Sequence, residues 1–295
     1  MEITKETKLS DLVSQYPWLK EELSTVNDKF KMLNTPMGKV MMGKATISEM
    51  SKKSGMDADA IIGKIRELID THRYGGDLVK EKVGEVFSIA TDNAPVTGCT
   101  ISKEIHGGEN SIIYFSLARN TDISAEIFPY HKLLIVADGS MEVYGPDGYR
   151  KALGIGDCVL TPTDVPVGMR TGTSAIYTEI EIRKDDIMNE AIKAGEVFKL
   201  AELVPYVEGK IVNMDVVHND QMKFVVMAFD EGTGLSEHAA PGEALIFALD
   251  GEGIIGYEGT DHPIKAGENF HFAKAGLHSV KATKRFKMAL LLTLE

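Results

Sequence analysis

Thr121-Asp122-Ile123-Ser124-Ala125-Glu126-Ile127-Phe128-Pro129-Tyr130-His131 lies in register with Thr233-Gly234-Leu235-Ser236-Glu237-His238-Ala239-Ala240-Pro241-Gly242-Glu243, an ungapped offset of 112 residues. The Ser, the Pro and the Leu that follow (Leu133, Leu245) coincide, and Asp138-Gly139 falls on Asp250-Gly251 at the same offset. Further on, Ile155-Gly156-Asp157 matches Ala266-Gly267-Glu268 at 111, so one residue is lost in the intervening hairpin. A register held this far marks an internal repeat, and the repeat decides the fold. From about Val86, short β-branched and aromatic runs alternate with Gly, Asp and Pro turns, the pattern of all-β sandwiches and barrels.

Working outward, residues 1–72 read as helices. Thr7 to Val13 opens one, with Tyr16, Leu19 and Leu23 at helical spacing. Asn34-Thr35-Pro36-Met37-Gly38 is a turn, and Thr46 with Glu49 three residues on has the form of a capping box. Gly55 ends that helix, and Asp57 to Ile69 supplies the last one, with Ile61, Ile62, Ile65 and Leu68 on one face. Residues 73–84, with Gly75-Gly76, read as a linker. The first β block then covers 85–184, and 185–295 holds a connecting helix over Lys184–Leu203 (Ile187, Ala191, Ala194 and Phe198 share a face) followed by the second block. The expected fold is mainly β, two tandem barrels behind a small all-α domain.

Composition bounds the function. The chain has 295 residues, 43% hydrophobic and 26% charged, with a formal net charge of −12. That excess of acid opposes general nucleic-acid binding and docking on anionic membranes, both of which draw on Lys and Arg. Cys99 and Cys158 are the only cysteines, too few for a disulfide framework. MEITKETKLSDLV has no apolar core resembling a signal peptide, and no apolar run approaches the roughly 20 residues that span a bilayer. These features point to the cytoplasm.

The second block resembles the cupins, small antiparallel barrels of jelly-roll type. Their first motif, Gly, His-x-His, Glu, Gly, corresponds here to Gly234 through Glu243 and Gly251; their second to Gly267-Glu268-Asn269-Phe270-His271-Phe272-Ala273-Lys274-Ala275-Gly276-Leu277-His278. Ser236 stands where the first His usually stands, and Ala273 replaces the turn proline. The lead-in Val197-Phe198-Lys199-Leu200 through Glu208-Gly209-Lys210 and the run Ser236-Glu237-His238 resemble the cupins grouped with those that linearise unsaturated uronates. That resemblance implies a sugar-like or acidic small ligand. Residues 1–72 resemble a small helical domain of unknown function, found also at the front of some iron–sulfur repair and hybrid-cluster-associated proteins. Many of its relatives carry cysteines, and none precedes Cys99 here.

On these motifs His238, Glu243 and His278 are the expected metal ligands, for a divalent Zn, Mn, Fe or Ni ion. His238 shares a strand face with Ser236, and the Ala-Ala-Pro-Gly turn is expected to reset the alternation so that Glu243 points back in. His271 is the candidate catalytic base, with packing on a strand as its plainer role; His262 falls in a turn. In the first block the matching positions are Ser124, Glu126, His131 and Val167, and Val167 binds no metal, so that copy is expected to be structural, a dimer face or an apolar pocket.

Three functions compete. One is a metal-dependent enzyme on a small carbohydrate or keto-acid-like molecule, an isomerase, lyase or oxygenase in type. Another is a small-molecule sensor whose helical domain, residues 1–72, contacts a partner protein. A third, DNA binding through a helix-turn-helix over Thr46–Asp70, is disfavoured: its second helix opens on Asp57 and Asp59, and residues 1–75 hold 12 Lys and Arg against 11 Asp and Glu, a net of +1. A homodimer is compatible with all three.

Overall fold

The computed structural model describes residues 3–16, 19, 23, 27, 29–31, 43, 45–73, 83–107 and 110–294. The Gly75-Gly76 linker, Pro17-Trp18 and the Asn34–Gly38 turn lie outside them. The chain divides into two units, Met1–Leu78 and Val79–Glu295.

In the first unit α1 (Leu9–Gln15), α2 (Ile47–Ser54) and α3 (Ala58–Arg73) bury Leu9, Leu12, Ile47, Met50, Ile61 and Ile65 together with Leu19 and Leu23. The capping box forms. Thr46 Oγ1 accepts from the Glu49 amide, and the Glu49 carboxylate accepts from the Thr46 amide. These two bonds satisfy donors that a helix start leaves unpaired. Gly55, in the left-handed region at φ 79°, closes α2.

The first half of the second unit runs β1 (Val86–Phe87), the single turn α4 (Ile89–Asp92), β2 (Thr100–His106), β3 (Ile112–Leu117), β4 (Asp122–Ile127), β5 (His131–Gly139), β6 (Met141–Tyr144), β7 (Arg150–Leu153), β8 (Asp157–Leu160), β9 (Pro166–Arg170) and β10 (Ala175–Ile182). The second half runs β11 (Ile187–Met188), β12 (Val197–Lys199), β13 (Ile211–His218), β14 (Met222–Phe229), β15 (Gly234–Ala239), β16 (Glu243–Tyr257), β17 (Thr260–Lys265), β18 (Asn269–Phe272), β19 (Leu277–Lys281) and β20 (Phe286–Thr293). Each half forms a two-sheet antiparallel barrel. In barrel 1 the larger sheet has the order β12-β8-β5-β10-β3-β2 and the smaller β4-β9-β6-β7. In barrel 2 the larger sheet is β1-β18-β16-β20-β14-β13-β11, and the far end of β16 joins β17, β19 and β15 in the smaller one.

The barrels exchange their leading strands. β1, from the first half, pairs with β18 of the second (Val86 opposite Phe270), while β12, from the second half, pairs with β8 of the first (Val197 opposite Val159). Glu85-Val86-Phe87 repeats as Glu196-Val197-Phe198, so the duplication extends to these strands. Such reciprocity is what an approximate twofold between the halves requires. Beyond the first exchanged strand a backbone amide is captured: Ile89 N–H donates to Asn269 Oδ1 (3.2 Å), and Cys158 stands at the matching place in barrel 1. Cys158 is fully buried, and burial pushes its thiol up to about 12, so it acts as a small core residue.

The helix expected over Lys184–Leu203 is absent. Its place is taken by β11, turns, β12 and a single 3-10 turn, Leu200–Glu202. Apolar spacing there mimics a helix face, but Gly195 at φ 81° breaks the run and strand pairing with β8 captures Val197–Lys199.

Barrel 1 packs Leu117, Leu134, Val136, Val143, Met169 and Tyr177 inside; barrel 2 packs Phe229, Ile246, Phe270, Phe272, Val280 and Phe286. A third core, with Leu133, Ile135, Ile180, Phe224, Leu245, Phe247 and Leu291, fills the space where the two larger sheets meet. Gly139 and Gly251 hold the same hairpin corner in each barrel, at φ 74° and 72°. A Cβ at either position would run into a carbonyl oxygen, of Ser174 or of Arg285.

Candidate functional site

Two expected ligands meet. β15 pairs with β19 so that His238 stands directly opposite His278, with ring centroids 4.2 Å apart. A bulge after Leu235 sets Ser236 and Glu237 against a single residue of β19, which re-aims His238 and breaks the simple alternation expected for Ser236 and His238. The His278 ring packs on Phe272, a wholly buried wall of the barrel interior, at 4.2 Å. His278 is itself buried, whereas His238 is exposed at the barrel mouth.

Both rings are held the same way. His238 Nδ1 lies 2.8 Å from the Ser236 carbonyl, and His278 Nδ1 lies 3.1 Å from the Gly276 carbonyl. A carbonyl only accepts, so each Nδ1 carries the proton and each Nε2 keeps its lone pair. Burial depresses the His278 pKa below the ordinary imidazole value, against the Gly276 bond and with the help of His238.

Glu243 does not join them. It opens β16 opposite Thr293, and from there the strand alternates: Ala244 and Ile246 enter the barrel, whereas Leu245 and Phe247 face the other barrel. The turn before Glu243 therefore does not bring it inward. Its carboxylate lies 3.9 Å from His271 Nε2, and His271, paired with Leu245, shares that outer face. Together they line a small cleft of about 30 Å³ between the barrels, with Ile105, His106, Ile112 and Leu291. His271 thus stands on the opposite side of the sheet from the histidine pair. His262 sits in β17 rather than a turn, its ring 5.1 Å from Phe270. Among the described residues no three His, Cys, Asp or Glu side chains converge as a ready metal site.

Barrel 1 carries the same bulge, after Ile123, and puts Glu126 opposite Val167 in the places of His238 and His278. His131 Nδ1 donates to the Thr161 carbonyl (2.6 Å) on the outer face. What the sequence reading missed lies deeper. Lys132 Nζ bonds Glu179 at 2.9 Å inside the barrel and sits 3.9 Å above the Phe128 ring. The signal was present in the repeat, since charged residues occupy β5 and β10 positions that hold Ala244 and Leu290 in barrel 2.

Residues 3–62 match the family described as "Domain of unknown function (DUF1858)". Over 116 residues, 39% of this chain and 88% of the relative, the sequence is 29% identical to the oxalate-binding protein of Thermotoga maritima. The structure is similar to a Cupin 2 conserved barrel domain protein from Leptotrichia buccalis, with 28% identity and a TM-score of 0.64, covering 74% of this chain and all of that one. The fold is that of two tandem cupin barrels preceded by a small helical region. No helix of the described residues is long and apolar enough to cross a membrane.

Proposed function

We propose that this is a small-molecule-binding bicupin whose ligand site is the His238–His278 pair of barrel 2, and that the ligand is a small carboxylate held together with a divalent metal ion. The observation that carries this reading is the shared tautomer: two adjacent imidazoles, each fixed by a backbone carbonyl at Nδ1, offer two Nε2 lone pairs at one barrel mouth. Metal-ligating histidines are held by such outer bonds.

Two nitrogens fit a divalent ion but leave most of its coordination shell open. The remaining donors come from the bound acid and from water. His238 and His278 would hold the ion; it would supply the attraction for carboxylate oxygens that neutral imidazoles lack. Phe272 orients His278 and keeps water from one side of it. The oxalate-binding relative supports a short carboxylic acid as ligand. With Glu243 and His271 on the far side of the sheet, no acid–base residue faces the pair from those positions, which favours binding over turnover.

Isothermal titration with Mn²⁺ or Zn²⁺, alone and with oxalate, tests this. Metal and oxalate should each tighten the other's binding, as linkage demands. Oxalate turnover without metal, or oxalate binding that survives His278→Ala, would contradict it.

A further inference from the structure

The Gly276 carbonyl that fixes His278 Nδ1 is itself held from behind, by Tyr257. This residue ends β16 and stands opposite His278 on β19. Its ring packs so closely on the Gly276 backbone that a Cβ there would lie 2.6 Å from Tyr257 Cε2 and 2.8 Å from the hydroxyl. The hydroxyl accepts from the Ala273 amide (3.4 Å), a donor that a proline at this turn position would lack. The Gly276 amide in turn donates to the Ala273 carbonyl (3.0 Å), so one tyrosine spans the turn 273–276. Ala275 in that turn sits at φ 65°, a left-handed conformation that a non-glycine residue keeps only where its surroundings impose it. Tyr257 also meets Phe272, the ring on which His278 stacks, with centroids 5.5 Å apart. Both supports of His278 bear on this one side chain.

The leading strand presses Tyr257 from its other edge. Gly84, just before β1, lies at φ 78° and donates its N–H to the His271 carbonyl (3.0 Å). A Cβ there would lie 2.9 Å from Tyr257 Cε1, so the ring is clamped between two glycines. Barrel 1 repeats the strap without the histidine. Gly195, at φ 81°, donates to the Leu160 carbonyl (2.7 Å) and faces Tyr149, but a Cβ there would stand at an ordinary 3.4 Å from that ring. Val167 occupies the place of His278 in that barrel.

We propose that Tyr257 is a positioning residue for His278, acting through the Gly276 carbonyl, and that Gly84 of the leading strand sets the place of Tyr257. The proposal deepens the reading of His278 as a metal ligand and rests on it. A ring released from the Gly276 carbonyl is free to carry its proton on Nε2, which removes the lone pair a metal needs. A smaller side chain at position 257 frees the turn, and a Cβ at position 84 drives the Tyr257 ring against it.

The test reads the His278 ring in the full chain by ¹⁵N–¹H correlation NMR without metal, at about pH 8, where the imidazole is neutral. Calorimetry with Mn²⁺ follows. Because the first readout needs no metal, it decides the matter whether or not the pair takes up an ion. In the native chain Nδ1 carries the proton. Tyr257→Leu should move a large part of the population to Nε2–H and weaken Mn²⁺ binding about tenfold. Tyr257→Phe, which keeps the ring, should restore most of both. Gly84→Ala should move the ring signals in the same direction as Tyr257→Leu. Gly195→Ala, with the same left-handed strain, should lower Tm as much and leave those signals in place. His278 signals unchanged in Tyr257→Leu, or moved equally by the two glycine variants, would overturn the proposal. Should Tyr257→Leu fail to fold, the glycine variants decide.

Discussion

Barrel 1 and barrel 2 share their strand order, their bulge, their hairpin glycines and their exchanged leading strands, and differ in what they place on that frame. At the bulge, barrel 2 sets His238 against His278, where barrel 1 sets Glu126 against Val167. One layer further in, barrel 1 buries Lys132 and Glu179, where barrel 2 has Ala244 and Leu290. Turns that need a left-handed glycine and strands fixed by backbone pairing are shared by the two copies, although one hairpin differs by a residue. Side chains that point into a barrel answer only to volume and polarity, and there the two copies were free to diverge.

The largest effect that could break this comparison concerns the exchange. Residues 185–295 alone lack β1 and expose the face built from Phe224, Leu245, Phe247 and Leu291, so this fragment should aggregate or remain unfolded by circular dichroism, whereas residues 79–295 should fold. A well-folded 185–295 fragment would mean the strands add nothing. Within the intact chain, Phe87→Ala should cost about 3–5 kcal/mol in urea denaturation, as buried Phe truncations do. Phe198→Ala, at a less buried position, should cost less.

A second experiment tries to erase the difference. Glu126→His with Val167→His writes the barrel 2 pair onto the barrel 1 bulge. Metal stoichiometry should rise from one to two per chain by mass spectrometry; a stoichiometry unchanged at one would show that the bulge does not aim both rings inward. A third sharpens the site's boundary. His238→Ala should abolish metal binding, as His278→Ala does, whereas Glu243→Ala should change the affinity by less than about twofold, in keeping with its place on the outer face.

The smallest effect is on pH dependence. Burial raises the folded-state pKa of Glu179 above 4.5, so over that window the folded chain binds more protons than the unfolded one. Stability from this group is therefore present at low pH and declines as pH rises through the folded value. Lys132→Ala/Tyr177→Met/Glu179→Leu removes the dependence, so its stability relative to native should grow as pH increases from 4.5. A constant difference across that range would argue that Glu179 stays ionised beside Lys132.

Much of the frame was legible. The offset of 112, the Asp-Gly corners and the Thr46–Glu49 capping box are local patterns with fixed physical meanings, and each has its counterpart in the structure. The exchange was not read, because strands of two or three residues carry almost no periodicity; only the repeat of Glu85-Val86-Phe87 at Glu196-Val197-Phe198 signals it. The apparent helix over Lys184–Leu203 shows the converse, since helical spacing arose by chance in a segment whose backbone bonds go to another strand. At the site, His238 and His278 could be paired from the resemblance to the cupin motifs, but the side taken by Glu243 depends on where β16 begins, a one-residue question that no composition answers.

In the proposed function, barrel 2 alone holds a metal and a small acid, together, on two histidines. Calorimetric titration of Mn²⁺ into native protein and into His278→Ala, each with and without oxalate, tests it most directly. One site per native chain is expected, tightened about tenfold or more by oxalate, about 1.4 kcal/mol of coupling, and no site in the variant. Equal binding in both proteins, or no response to oxalate in the native one, would contradict it.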